Sequence, residues 1–175
     1  IGEPSGGLTP RLKALHDALA AAGFEPESSD DIQRDVWYKL WGNMTMNPVT
    51  ALTGAASDQV LDDPLVREFC SAAMREAAEI GAHIGCAITQ TPEDRHAVTR
   101  KLGRFRTSMQ NDVDAGRTIE LDALVTVMRE IALRLGIATN EPFAPSMILR
   151  SRITKQASNV IEQKACKRSC GSSIS

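Results

Sequence analysis

The sequence predicts an all-α fold, a single multi-helix bundle. Three observations predict it. Hydrophobic residues make up 42% of the chain but aromatic residues only 4%. The core must therefore be built from Ala, Leu, Ile, Val and Met, a palette that suits packed helices better than sheets. Helix start and stop signals bracket stretches of helical periodicity from Thr9 to Gly136. No convincing apolar/polar alternation of period two occurs, so any strand is confined to residues 1–4 or 24–28.

Residues 1–8 read as the end of a strand followed by a Gly-rich turn at Gly2, Gly6 and Gly7. Thr9 and Pro10 then open a helix as cap and first helical residue. Leu12, Leu15, Leu19 and Ala22 follow helical spacing, and Gly23 closes it. Phe24 to Ser28 is a short extended connection. Asp30 or Asp31 caps the next helix, whose apolar stripe is predicted at Ile32, Val36, Leu40 and Met44. Pro48 is expected to break or kink that helix, because its ring clashes and it lacks an N–H. Asp62, Asp63 and Pro64 start a third helix running to about Gly85, and Thr91-Pro92-Glu93-Asp94 starts a fourth. Residues 104–118 read as less regular. Glu120 to Leu135 is a fifth helix, stopped by Gly136. Residues 1–8 are thus assigned to the end of a preceding domain and a linker, 9–140 to the helical domain, and 141–175 to a divergent, partly disordered C-terminal segment rich in polar residues.

The bulk chemistry excludes several classes. The net charge is −2 with both signs interleaved, unlike the basic footprint of a nucleic-acid binder. No apolar run approaches the roughly 18 residues needed to span a membrane. The chain opens on Ile1-Gly2-Glu3-Pro4 without Met or a signal pattern, so it reads as a cut through a longer protein. His16, His83 and His96 are scattered and the cysteines form no ligand set, so no metal site is expected. Cys70 reads as a small buried apolar residue. A reducing, cytoplasmic compartment is the default.

One constellation could carry chemistry. Lys39, Asn43 and Asn47 are spaced i, i+4, i+8 and form one polar stripe on a helix, beside Trp37, Leu40, Trp41, Met44 and Met46. Two carboxamides offer donors and acceptors, and the lysine offers a proton made more mobile by desolvation. The plainer reading is the wet side of an amphipathic helix. Asn, however, is a poor helix-interior residue and occurs here twice on one line. Glu120 is a second candidate, although acidic residues at helix starts are favoured by the dipole alone. Ser108 is a lone hydroxyl with no histidine placed to activate it, which argues against a serine hydrolase.

Taken together, these residues spell a known pattern. Asp31-Ile32, then Trp37-Tyr38-Lys39-Leu40, Asn43 and Asn47-Pro48, followed by Thr50 to Gly54, resembles the central helix of the ketopantoate reductases. Ser108-Met109, Asp112, and Gly116-Arg117-Thr118 with Glu120-Leu121-Asp122-Ala123 resembles that family's second signature, and Leu135 to Thr139 its closing motif. The resemblance covers residues 1 to about 139. It implies the helical C-terminal domain of that family, of the 6-phosphogluconate dehydrogenase C-terminal-like type, which reduces 2-dehydropantoate to pantoate with NADPH on the way to pantothenate. It implies Lys39 as general acid at the ketone oxygen and Glu120 as a group that grips and positions substrate. Asn43 and Asn47 would hold substrate and lysine in register, and Ser108 would hold the substrate's carboxylate. NADPH would be bound mainly by an N-terminal Rossmann domain, because the Gly2 to Gly7 run is not the family's Gly-rich phosphate loop. The piece alone is therefore expected to be inactive. A homodimer is a further expected partner. The competing expectation is a non-catalytic helical module that binds a small carboxylate or dimerises through an exposed apolar face.

Overall fold

A computed structural model describes residues 1–138. Those residues form seven α-helices and one π segment: α1 (Pro10–Ala21), α2 (Ile32–Thr53), α3 (Ser57–Asp62), α4 (Pro64–His83), α5 (Pro92–Lys101), α6 (Ser108–Ala115), the π segment Asp122–Thr126, and α7 (Val127–Leu135). The all-α class is borne out. The expectation for residues 141–175 lies outside the described residues.

The predicted caps are the observed ones. Thr9 accepts from the Leu12 N–H at 3.1 Å, and Asp31 from the Arg34 N–H at 3.1 Å. Asp63 accepts from the Leu65 and Val66 N–H groups at 2.9 and 3.1 Å. Thr91 and Asp94 form a reciprocal capping box at the start of α5. Each bond satisfies an orphan donor of a first turn.

Three expectations about these helices need correction. The apolar stripe of α2 is not Ile32-Val36-Leu40-Met44. Val36 is 60% exposed, whereas Trp37, Trp41, Met44 and Ala51 are buried. Periodicity alone rated Val36 above Trp37, and only the position of α4 decides which face is inside. Nor does Pro48 end the helix: α2 runs through it to Thr53 and is capped by Gly54 in the left-handed conformation. An interior proline costs about 3 kcal/mol. Here every residue from Met44 to Ala51 is buried, so packing on several sides offsets that cost. Residues 104–118 are not irregular, since α6 occupies Ser108–Ala115 with Thr107 as its cap. The sequence Thr107-x-x-Gln110 does carry a capping-box spacing, but the helix is only eight residues long and its periodic signal is weak.

The main core lies between α2 and α4 and is closed by α6 and α7. Trp41, Met74, Ala77, Ile80 and Met128 are at most 1% exposed. The Trp41 indole donates to the Met74 carbonyl at 2.6 Å, so its one polar atom is satisfied inside the core. A smaller cluster of Met46, Val49, Val60, Leu61 and Cys70 joins α2, α3 and α4. Burial pushes the Cys70 thiol up to about 11, as befits an inert packing residue. Ser71 and His96, both buried, join α4 to α5 through a 3.0 Å hydrogen bond. Before α1, Gly2 pairs with Ser29 in an isolated parallel β-bridge. Among the described residues, no helix is long and apolar enough to cross a membrane.

Candidate functional site

Helix α2 carries the stripe, and its burial rises along the helix. Lys39 is exposed, Asn43 is half-buried, and Asn47 is only 7% exposed. The stripe thus runs from solvent into the junction with α6. Neither carboxamide has a hydrogen-bond partner among the described residues, so both keep donors and acceptors for another molecule.

A junction fixed by two polar ties lies at the buried end. The Thr50 and Thr107 hydroxyls share a 2.7 Å hydrogen bond, and Thr107 also accepts from the Gln110 N–H at 3.3 Å as the cap of α6. The Gln110 carboxamide donates to the Gly54 carbonyl at 2.8 Å, at the cap of α2. Ser108, the exposed first residue of α6, follows Thr107 directly, and Met109 behind it is anchored in the main core. Ser108 thus directly follows the residue bonded to Thr50, which lies three positions beyond Asn47 on α2. Sequence reasoning missed Thr50, Thr107 and Gln110. Their roles arise from pairs more than fifty positions apart, and only the capping spacing at Thr107 hinted at them.

Glu120 is placed differently. It precedes Leu121, which is buried in the same core cluster as Trp41, Met44 and Met109. The Glu120 carbonyl accepts from the Leu124 N–H at 3.1 Å, while its exposed carboxylate has no hydrogen bond to a described residue. The π segment that follows packs against α2. Such segments add a residue to one helical turn and often occur at functional sites. Glu120 thus lies two residues before a segment that packs on α2, and no hydrogen bond or ion pair among the described residues joins it to Lys39, Asn43 or Asn47.

One more cation lies beside the stripe. The Arg95 guanidinium sits 5.1 Å from the Tyr38 ring centroid and packs so closely on Gly42 that a Cβ there would collide with it. Tyr38 and Gly42 each precede a stripe residue, so Arg95 braces the neighbouring face of α2. Its Nε is buried without a hydrogen-bond partner. A cavity of about 230 Å3 opens near Tyr38, lined also by Arg34, Asp35, Thr89 and Gln90. A larger groove of about 520 Å3 runs along α1, away from the stripe.

The Gly2 to Gly7 turn offers no phosphate cradle for a dinucleotide. The Gly6 N–H donates to the Glu3 carbonyl at 2.9 Å and the Gly7 N–H to Asp30 at 2.7 Å, so this turn has spent the donors a pyrophosphate would need. No three of the described His, Cys, Asp and Glu residues cluster as metal ligands.

Comparison with known proteins gives consistent results. The family described as "Ketopantoate reductase PanE/ApbA C terminal" matches residues 31–141. The 2-dehydropantoate 2-reductase of Mesorhizobium japonicum is 35% identical over 131 residues, covering 75% of this chain and 40% of the relative. A Ralstonia solanacearum MolK2 protein, provisionally named a ketopantoate reductase, is 50% identical with a TM-score of 0.82, over 88% of this chain and 47% of that one. D-mandelate dehydrogenase, solved with NADH and anilino(oxo)acetate, has a TM-score of 0.76 over 91% of this chain and 66% of its own. At 17% identity that last likeness is one of fold. The chain spans about half the length, or less, of the reductases it matches.

Proposed function

Because the chain belongs to the ketopantoate reductase family, a family of oxidoreductases, we propose that it is the helical, substrate-binding half of an NADPH-dependent 2-keto acid reductase. In this reading 2-dehydropantoate is the substrate and pantoate the product. The observation that carries it is the stripe of Lys39, Asn43 and Asn47 running from solvent into the junction where Thr50 and Thr107 hold Ser108.

When bound, the nicotinamide nucleotide supplies a hydride to the carbonyl carbon. This chain's residues hold the keto acid and manage the proton. The Lys39 ammonium protonates the carbonyl oxygen as negative charge develops there. Asn43 and Asn47 orient that oxygen and the lysine, with their carboxamides unspent on the protein. Ser108, at the N-terminus of α6, offers its hydroxyl beside a positive helix end to the substrate carboxylate. Glu120 accepts from the substrate hydroxyl. The nucleotide's phosphates fit elsewhere, because the Gly6 and Gly7 donors are already engaged.

A second reading, 2-keto acids with bulkier substituents, is raised by D-mandelate dehydrogenase, whose likeness to this chain is one of fold alone. One experiment tests both readings. The intact reductase containing this chain is assayed for NADPH oxidation with 2-dehydropantoate and with aryl 2-keto acids, as wild type and as Lys39→Ala. We expect the variant to lose turnover by orders of magnitude at unchanged melting temperature. Unchanged turnover would return Lys39 to the wet face of an ordinary helix. A chain that binds 2-dehydropantoate but shows no reductase activity in the intact protein would instead support a non-catalytic carboxylate-binding module.

A further inference from the structure

Arg95 differs from the paired arginines of this chain. Arg11, Arg75, Arg100, Arg106 and Arg117 each have a carboxylate partner. The Arg95 side chain has no ion pair or hydrogen bond to a described residue, and its Nε is buried without a partner. Its guanidinium lies instead on α2, 5.1 Å from the Tyr38 ring centroid and against Gly42, where an added Cβ would collide with it. Two local preferences are broken at this one contact. Glycine is a poor residue for a helix interior, and α2 carries one near its midpoint. A buried N–H without an acceptor costs free energy that an aliphatic side chain would avoid. Alanine at 42 facing an aliphatic side chain at 95 would break neither preference. Such departures concentrate at functional positions.

What the contact achieves is placement. Tyr38 and Gly42 are four positions apart and form one line on α2. The residue after each, Lys39 and Asn43, forms the neighbouring line, which is the polar stripe. Both sides of the contact are tied to α4. Tyr38 packs on Trp41 with ring centroids 5.9 Å apart, and the Trp41 indole donates to the Met74 carbonyl. On α5 the residue after Arg95 is His96, bonded to Ser71 at 3.0 Å. Ser71 and Met74 lie one turn apart on α4, so a single helix holds both Arg95 and its seat. The charge itself is left unneutralised. Among the described residues no ion pair engages Lys39 or Arg95, and Asp35, one turn before Lys39, bonds neither.

We infer that Arg95 is a positioning residue for the stripe: its guanidinium, seated in the notch at Gly42, fixes the turn of α2 that carries Lys39 and Asn43 and adds positive potential beside them. The inference rests on the reading of Lys39 as the proton donor to a keto acid. A fixed turn keeps the lysine aligned with the carbonyl oxygen. A cation with no carboxylate partner favours the negative charge that develops on that oxygen.

The test compares the intact reductase containing this chain as wild type, Arg95→Met, Arg95→Lys, Gly42→Ala and the Arg95→Met/Gly42→Ala double variant. Gly42→Ala changes no charge but pushes the flexible end of Arg95 off its seat. We expect Arg95→Met and Gly42→Ala each to lower kcat about 10- to 100-fold, with KM within about twofold and with melting temperature and helical circular dichroism preserved. Arg95→Lys should recover part of the loss, since it restores the charge but not the planar guanidinium. The double variant should be no slower than the slower single variant, because both break one contact. Wild-type kcat in Arg95→Met, a loss that only tracks a falling melting temperature, or additive losses in the double variant overturns the inference. A second readout needs no turnover. The carbon-13 resonance of reductively dimethylated Lys39, identified by its absence in Lys39→Arg, should shift in both Arg95→Met and Gly42→Ala. An unchanged resonance overturns the inference. A shifted resonance in a protein that reduces no keto acid supports placement by Arg95 and counts against the functional reading alone.

Discussion

Thr50 and Thr107 share a buried hydrogen bond of 2.7 Å, and through it the N-terminus of α6 is fastened to the last turns of α2. Thr50 also donates to the Met46 and Asn47 carbonyls at 2.8 and 3.1 Å, so one hydroxyl serves both helix and junction. Replacing it with an apolar isostere leaves the Thr107 hydroxyl with one partner fewer. Thr50→Val should cost about 1–3 kcal/mol in urea denaturation, and Thr50→Ser should cost less. In the intact reductase, Thr50→Val should also raise KM if the junction positions Ser108.

The polar stripe predicts a graded kinetic series. In the intact reductase, Asn43→Ala and Asn47→Ala should each lower kcat/KM by about 1–3 kcal/mol of transition-state binding, as lost positioning hydrogen bonds. Ser108→Ala should fall mainly on KM, since a carboxylate grip is made equally in ground and transition states. Glu120→Ala should raise KM, and should lower kcat as well if the carboxylate also positions the reacting groups. Steady-state rates over a range of keto-acid concentrations separate these outcomes. A flat series would dissociate the stripe from catalysis.

A glycine on α4 makes a packing prediction. Gly81 faces the Trp37 indole so closely that a Cβ would collide with it and would stand 2.9 Å from the Cys86 carbonyl. Alanine is the better helix former by roughly 1 kcal/mol, yet Gly81→Ala should destabilise by about 1–3 kcal/mol, because a backbone oxygen cannot move aside. Thermal melting, with tryptophan fluorescence as a second signal, reads the effect. A stabilised variant would show that the α2–α4 spacing is looser than described.

His96 gives the fold a pH dependence. Burial holds its imidazole below the ordinary value of 6.5. Glu93 opposes that shift, while Arg67, Arg100 and Arg95 add to it. Above about pH 6.5 the ring is neutral in both states and contributes nothing. As the pH falls below that value, the unfolded chain takes up a proton that the folded chain resists, so stability declines. The urea midpoint should therefore drop between about pH 6.5 and pH 5. His96→Gln should flatten that part of the profile, leaving the carboxylate-driven loss at lower pH. An unchanged slope in the variant would mean that the ring protonates freely in the folded protein.

Some features of this protein were settled locally. The starts of α1, α2, α4 and α5 are legible at Thr9, Asp31, Asp63 and Thr91, because a capping oxygen reaches only two or three residues along its own chain. The stripe of Lys39, Asn43 and Asn47 is likewise legible, because helix geometry alone aligns positions four apart. Those residues, with the motif around Ser108 and Glu120, sufficed to point to the family.

What the sequence could not decide lay between elements. Periodicity places Val36 on the inner face of α2 where the packed structure has Trp37, because a helix facing several neighbours has no single clean stripe. The continuation past Pro48 depended on burial from α3, α4 and α6, a stabilisation absent from the local propensities. Ser71 and His96, and Thr50 and Thr107, become pairs only when helices far apart in sequence are packed together. The all-α class, the caps and the order of the polar stripe were thus determined by the sequence itself, through interactions spanning a few residues. The depth of Asn47 and the tie between Thr50 and Thr107 were decided by tertiary structure, because each depends on which surfaces of distant segments exclude water from one another.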